Sequence, residues 1–172
     1  MDQDQSIKLE DIHYTNFTDY SQIPKIMPMI DAELSEPYSI YTYRYFLYGW
    51  PDLSIFAYYN NEIIGVVIGK LDKHSKSGRN RGYIAMIVVE KKYRRLRIGR
   101  ILAQKFIDKI KEKGGDEIVL ETEQTNHAAL RLYESLGFAK MKRMQNYYMS
   151  GNDAFRLKLF LVDPLDSHQK SE

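Results

Sequence analysis

Four arginines, at 94, 95, 97 and 100, crowd around one glycine, Gly99, where an apolar strand-like run ("GYIAMIVVE", 82–90) gives way to a helical pattern ("IGRILAQKFIDKIKEKGG", 98–115). A helix starting near Ile98 leaves its first N–H groups unpaired and aimed at the preceding loop. An anion at that point gains those hydrogen bonds and the favourable end of the helix dipole. Arginines at a helix N-terminus oppose the dipole, and a bound anion relieves the conflict. Arg94, Arg95, Arg97 and Arg100 add attraction that suits a pyrophosphate, and Gly99 permits close approach. A solvated basic turn and a nucleic-acid phosphate contact are the alternatives. No zinc-finger spacing or basic recognition helix accompanies the patch, so DNA binding has no second feature to support it. Arg97 stands where a phosphate-cradling loop more readily carries glycine. The expectation is that its backbone keeps a negative φ and its side chain swings outward.

A second constellation follows in "LETEQTNHAALRLYESLGF" (120–138). On a strand, Glu121 and Glu123 alternate onto one face, opposite Leu120 and Thr122. Two carboxylates near the C-terminal end of a strand suit general-base work, since repulsion and burial raise the pKa of one member. Two exposed glutamates on an outer face are the plainer alternative. On the next helix Asn126 and Tyr133 are seven residues apart, nearly two turns, and so lie on one side. Tyr133 is expected to be partly buried, as a core tyrosine or as a proton donor.

Composition bounds the chemistry. The chain has 172 residues, the size of one domain, with the domain expected over 1–162 and a polar, flexible tail over 163–172. Cysteine is absent, which removes disulfides, thiol nucleophiles and thiolate metal sites. The histidines at 13, 74, 127 and 168 show no metal-ligand spacing, so no metal is expected. No apolar run reaches spanning length, and the polar start "MDQDQSIKLED" does not resemble a secretory signal; a soluble cytoplasmic protein without a membrane role is expected. A net charge of +2 is too small to argue for a nucleic-acid binder. The 14 tyrosines are unusually many and offer partly polar contact surface.

The elements that must hold these residues follow from periodicity. "SIKLEDIHY" (6–14) is predicted as the first strand. Ile23, Ile26, Met27, Ile30 and Leu34 predict a helix that accepts Pro24 in its first turn and is kinked or divided at Pro28. "YSIYTYRYFLYGW" (38–50) reads as an aromatic helix. Strands follow in "LSIFAYY" and "EIIGVVIGKLD", joined by a hairpin at Asn60 and Asn61, and then in "GYIAMIVVE". Ile98, Ile101, Leu102, Phe106 and Ile110 stripe the next helix. "DEIVLETE" is a strand, "TNHAALRLYESLG" a helix, and "FAKMKRMQNYYMS" and "DAFRLKLFLV" the last strands. The fold class is α/β, a mixed sheet of about seven strands with a parallel crossover at its middle.

"YIAMIVVEKKYRRLRIGRIL" (83–102) followed by "LETEQTNHAALRLYESLGFAKMKRMQNYYM" (120–149) resembles the GCN5-related N-acetyltransferase superfamily, over about residues 7–162. With "ELSEPYSIYTYRYFLYGWPDL" (33–53), the chain is similar within that superfamily to the catalytic subunits of NatC-type N-terminal acetyltransferases. The resemblance implies a GNAT fold: a mostly antiparallel seven-stranded sheet, a central splayed parallel pair and about four helices. It also implies acetyl-CoA as cosubstrate and no metal. The implied acceptor is the α-amine of nascent proteins that begin with Met and a bulky apolar residue. Implied partners are auxiliary subunits, with the ribosome reached through them.

Residue by residue, the superfamily's pyrophosphate loop, Q/R-x-x-G-x-G/A, falls on Arg94 to Gly99, with Arg97 in place of the central glycine; the implied cofactor contacts are Arg94, Arg95, Leu96, Arg97, Ile98, Gly99 and Arg100, with Asn126 and Tyr133. The amides of Ile87, Val88 and Val89 are expected to polarise a thioester carbonyl. Glu121 falls on the general base, acting through water, and Tyr133 on the acid that steadies the departing thiolate. Leu34, Ser35, Glu36, Pro37 and Tyr38 match one peptide-binding wall, and Tyr147 and Tyr148 on a hairpin match the other. A lysine or small-amine acetyltransferase of the same fold, and a non-catalytic CoA-binding subunit, are the competing readings.

Overall fold

The computed structural model describes residues 6–34 and 36–166. In chain order the elements are β1 (His13–Asn16), α1 (Ile23–Glu33), α2 (Ile40–Gly49), β2 (Ser54–Tyr59), β3 (Glu62–Lys73) and β4 (Asn80–Val89), then α3 (Ile98–Glu112), β5 (Glu117–Glu123), α4 (His127–Ser135), β6 (Ala139–Met144) and β7 (Ala154–Phe160). The strands form one sheet in the order β1-β2-β3-β4-β5-β7-β6. Its β4–β5 pair is parallel and the other pairs are antiparallel, so the expected mixed sheet with its parallel crossover is present.

One face of the sheet packs against α3 and α4 through Ile98, Leu102, Phe106, Ile110 and Leu130 over Ile64, Val67, Ile84, Ile118 and Leu157. The other packs α1 and α2 through Ile23, Ile26, Ile30, Tyr43, Phe46 and Leu47 over Phe56, Val66, Ile68 and Met86. Asn60 and Asn61 both have positive φ, the geometry of the tight turn that suits a twisted hairpin. Ser39 caps α2 by accepting from the Thr42 N–H.

Three local expectations are corrected. The first strand begins only at His13, because Leu9–Asp11 forms a 3-10 turn whose Leu9 is exposed and anchors nothing in the sheet. Pro28 does not divide α1. It costs one backbone hydrogen bond, and the buried Ile23, Ile26, Met29 and Ile30 hold the helix through it. The last two strands are shorter than predicted, and Tyr147 and Tyr148 lie on the loop between β6 and β7. Within the predicted tail the Leu165 N–H donates to the Asp163 carboxylate, and residues 167–172 lie outside those described.

The parallel pair is short and then splays. β4 and β5 are in register only at Arg81↔Glu117, Gly82↔Ile118 and Tyr83↔Val119. Beyond that point β4 carries a bulge at Ala85, opposite the Ile68–Gly69 step of β3. A bulge bends its strand and increases its local twist, while Met86 to Val89 stay paired with β3. Gly69 is required there: a Cβ would come within 2.2 Å of the Tyr83 carbonyl oxygen and 2.6 Å of the Phe106 ring. The closed end is clamped by Glu117, 1% exposed, which accepts from Arg79 at 2.6 Å and Arg81 at 2.9 Å and pairs with Lys158 at 3.3 Å. Though burial opposes ionisation, these cations hold its carboxyl below the usual range.

Candidate active site

The splay exposes the ends of β4 and β5 on both faces of the sheet. The Glu90 N–H donates to Ile64 of β3, so strand alternation turns the Val88 N–H to β3 as well and leaves those of Ile87 and Val89 facing the gap. Two cavities open from this gap. The larger, of about 520 Å³, is lined by Ile87, Val88 and Val89, by Arg94, Arg95, Arg97, Ile98, Gly99 and Arg100, and by Asn126 and Tyr133 from α4. Of the residues expected around an anion, only Leu96 is missing from this wall; half-buried, it packs against the edge of the core instead.

The basic loop has a specific geometry. Arg97 lies at φ 57°, ψ 21°, in the left-handed region, directly before α3. This corrects the expectation of a negative φ: the loop makes the turn a glycine would make, with an arginine. Arg95 is also left-handed, at φ 76°. Arg94 is bent back, donating through Nε to the Val89 carbonyl at 3.2 Å and pairing through Nη2 with the Glu33 carboxylate at the end of α1. Arg100 donates to Ser135 Oγ at 2.6 Å, linking α3 to α4. Gly99 has no protein atom closer than 3.8 Å to a built Cβ, so packing within the protein does not require it.

The smaller cavity, of about 210 Å³, lies toward α1 and is lined by Leu34, Glu36, Tyr38, Glu121, Glu123 and Tyr148. Glu33, Leu34, Ile87, Asn126, Ala129 and Tyr133 line both spaces. Asn126 caps α4, its Oδ1 accepting from the Ala129 N–H at 3.1 Å. Tyr133 is only 4% exposed, and burial pushes its phenol well above the usual value. It therefore carries its proton at neutral pH and can act there as a donor, not a base.

Glu121 faces this cavity from β5. Its Oε1 accepts from Arg156 Nη2 at 2.9 Å and Nε at 3.3 Å, and the Tyr83 phenol lies near enough to feel its charge. Glu121 and Glu123 share a face, as alternation requires. Glu121 is engaged by Arg156, and Glu123 by Asn152 Nδ2 at 3.5 Å. Phenols crowd this side. Burial, followed by the Glu121 charge, raises the pKa values of Tyr83, Tyr147 and Tyr148; burial and then Glu36 raise that of Tyr38.

The two expected peptide walls meet. Glu36 Oε1 accepts the Met149 N–H at 3.0 Å, tying the segment after α1 to the β6–β7 loop. That loop is braced by Asp153, which accepts from the Asn146 N–H at 2.9 Å and Arg143 at 2.8 Å. Pro37 lines an adjoining outer hollow with Leu34, Tyr38 and Met149; Tyr147, 47% exposed, lines neither this hollow nor the smaller cavity, and Ser35 lies outside the described residues. Sequence reasoning missed Glu33, Tyr83 and Arg156. Only strand register carried a signal for Arg156, which stands directly opposite Glu121 across β5–β7. Among the described residues no cluster of ligating side chains could hold a metal ion, and no helix is long and apolar enough to cross a membrane.

A sheet splayed at its parallel pair, with a basic helix-start loop on one side of the gap and a carboxylate and phenols on the other, is an acetyltransferase architecture. The model of the acetyltransferase (GNAT) family matches residues 23–138, and the chain belongs to that family. It is 52% identical over 150 residues to N-alpha-acetyltransferase 30 of Homo sapiens, covering 87% of this chain and 41% of that one. The chain thus spans about two fifths of that relative's length. It is 48% identical over 157 residues to N-alpha-acetyltransferase 30 of Dictyostelium discoideum, covering 91% of this chain and 84% of that one. Among solved structures, a chain of the NatC complex bound to Gag peptide and CoA superposes with a TM-score of 0.85 at 46% identity, over 88% of this chain and 99% of that one.

Proposed function

We propose that the chain is the catalytic subunit of a NatC-like N-terminal acetyltransferase. It transfers acetyl from acetyl-CoA to the α-amine of proteins that begin with Met and a bulky apolar residue. The observation that carries this reading is the pair of cavities joined at Ile87, Asn126 and Tyr133, one basic and one acidic and phenolic. The residues present fit the cosubstrate: the free N-terminal amides of α3 and the exposed Arg95 and Arg97 suit a pyrophosphate, and the gap-facing amides of Ile87 and Val89 suit a thioester carbonyl. The cosubstrate supplies the activated acetyl group.

An α-amine has an unperturbed pKa of about 7.7–8.0, so only a mild base is needed near neutral pH. Glu121, oriented by Arg156, takes that proton through a water, and Tyr133 protonates the leaving thiolate. Leu34 and Tyr38 face Tyr148 across the acceptor space and hold the first residues of the peptide. The tie between Glu36 and Met149 narrows the entrance, which favours a chain terminus over a lysine in mid-chain. Auxiliary subunits, and through them the ribosome, bring the nascent chain, and the reaction belongs to the cytoplasm. The names of the two relatives and the 46% identity to a NatC chain support this reading.

Coenzyme A release over a peptide panel, with and without auxiliary subunits, tests it. A Met-Leu peptide outcompeting Ser-Glu and N-terminally blocked lysine peptides is expected. The reverse preference rejects the assignment.

A further inference from the structure

Beyond the acceptor cavity, on the same face of the sheet, α1 and α2 no longer cover β5 and β7. A trough of about 360 Å³ opens there, with Tyr83, Val119, Lys70, Lys73, His74, Arg81 and Arg156 around it. Glu121 belongs to both spaces, so they are neighbours along one strand.

The trough has an uncancelled positive charge. Lys70 is matched by Asp72 at 2.9 Å and Arg156 by Glu121 at 2.9 Å. Arg81 shares the single carboxylate of Glu117 with Arg79 and Lys158, which leaves cationic charge in excess at that end. Lys73 is exposed and has no anionic partner among the described residues. The space suits a short extended segment rather than a nucleic-acid helix, whose major groove alone is about 12 Å wide.

We infer that this trough is a subsite for acidic side chains of the substrate polypeptide, several residues beyond the acetylated end. The inference rests on the proposed α-amine acetylation. From Ile87 to Arg81 β4 runs six residues. An extended peptide advances ~3.3 Å per residue, so a chain whose amine sits at Ile87 brings about its fifth to seventh residue to Arg81 and Lys73. Specificity then has two parts. The inner cavity reads the apolar start, and the trough reads charge downstream.

The test compares Met-Leu peptides that carry Glu or Lys at positions five to seven, assayed with the full chain. Each exposed charge pair contributes up to about a fivefold preference. The acidic peptide is expected to show the higher kcat/KM through a lower KM, an advantage that shrinks in added salt. Lys73→Glu should erase or reverse it while leaving kcat on a short uncharged peptide unchanged. Equal KM values for the two peptides, or a preference that Lys73→Glu leaves intact, overturn the inference. Fluorescence anisotropy of the same labelled peptides in the presence of coenzyme A reads the trough independently of turnover. Acid-selective binding without acetyl transfer retains the subsite and rejects only the reaction. A short oligoribonucleotide that displaces the acidic peptide at equal concentration assigns the trough to nucleic acid and overturns the inference.

Discussion

Arg156 Nη2 donates to Glu121 Oε1 at 2.9 Å, across a directly opposed pair of β5 and β7. The ion pair fixes a carboxylate that faces the smaller of the two cavities. Glu121→Gln should therefore lower kcat by about 10²–10⁴, the usual worth of a positioned general base, while acetyl-CoA affinity stays nearly constant. Arg156→Met should lower kcat less, and Arg156→Lys should partly restore it. Wild-type turnover in Glu121→Gln would remove the residue from the chemistry.

The bond from the Met149 N–H to Glu36 joins two loops separated by more than a hundred residues in sequence. Glu36→Ala removes the acceptor and should raise the peptide KM by about tenfold, the scale of one hydrogen bond to a charged group, with acetyl-CoA affinity unchanged. Glu36→Gln keeps a carbonyl acceptor and should lie close to wild type. Equal effects of the two variants would show that charge, and not the tie between loops, is what matters.

Arg97 enters α3 from the left-handed region, which disfavours any residue with a Cβ. Glycine relieves that strain at an entropic cost of about 0.5–1 kcal/mol in the unfolded chain. Urea unfolding should find Arg97→Gly more stable than Arg97→Ala by about 1 kcal/mol. Equal stabilities would mean that the backbone is not strained at this position.

Much of this architecture was legible because it is written in periodicity. The stripe of Ile98, Leu102, Phe106 and Ile110 and the alternation of Glu121 with Thr122 depend only on local geometry, and both are observed. The basic loop ahead of α3 was legible from its arginines before a helical stripe. Its backbone was misread, since holding an anion by amides sets no sign for φ, whereas the turn into α3 does. The opening of the sheet was not legible. It depends on the bulge at Ala85 and on Gly69 lying under Tyr83 and Phe106, which are matters of strand register. Arg156 and Tyr83 escaped notice for the same reason: neither neighbours Glu121 in sequence.

Tyr133 opens onto both cavities with a phenol that burial keeps protonated. Tyr133→Phe should lower kcat by about 10–100-fold, with a thermal midpoint within a few degrees of wild type. In the wild type, kcat/KM should rise as the α-amine deprotonates and then stay level to about pH 10, because the proton donor has not yet titrated. A fall in rate beginning near pH 8 would exclude Tyr133 as the acid.

Tyr43 carries a different consequence of burial. Its ring is fully buried in α2, its hydroxyl has no hydrogen-bond partner among the described residues, and burial pushes its pKa up to about 12. The unfolded chain releases this proton near pH 10, before the folded protein does. From that point the unfolded state binds fewer protons, so stability is fully present below about pH 10 and is lost as pH rises toward 12. Tyr83, Tyr133 and Tyr148, whose values are also raised, add to the same slope. Each such phenol contributes about 1.4 kcal/mol per pH unit within its window. Tyr43→Phe removes one contribution. It should match or exceed wild-type stability at pH 7, since it deletes an unpaired polar group, and should lose stability less steeply above pH 10. Urea midpoints measured from pH 7 to 11 check both parts, and parallel curves for the two proteins would mean that Tyr43 titrates alike in the folded and unfolded states.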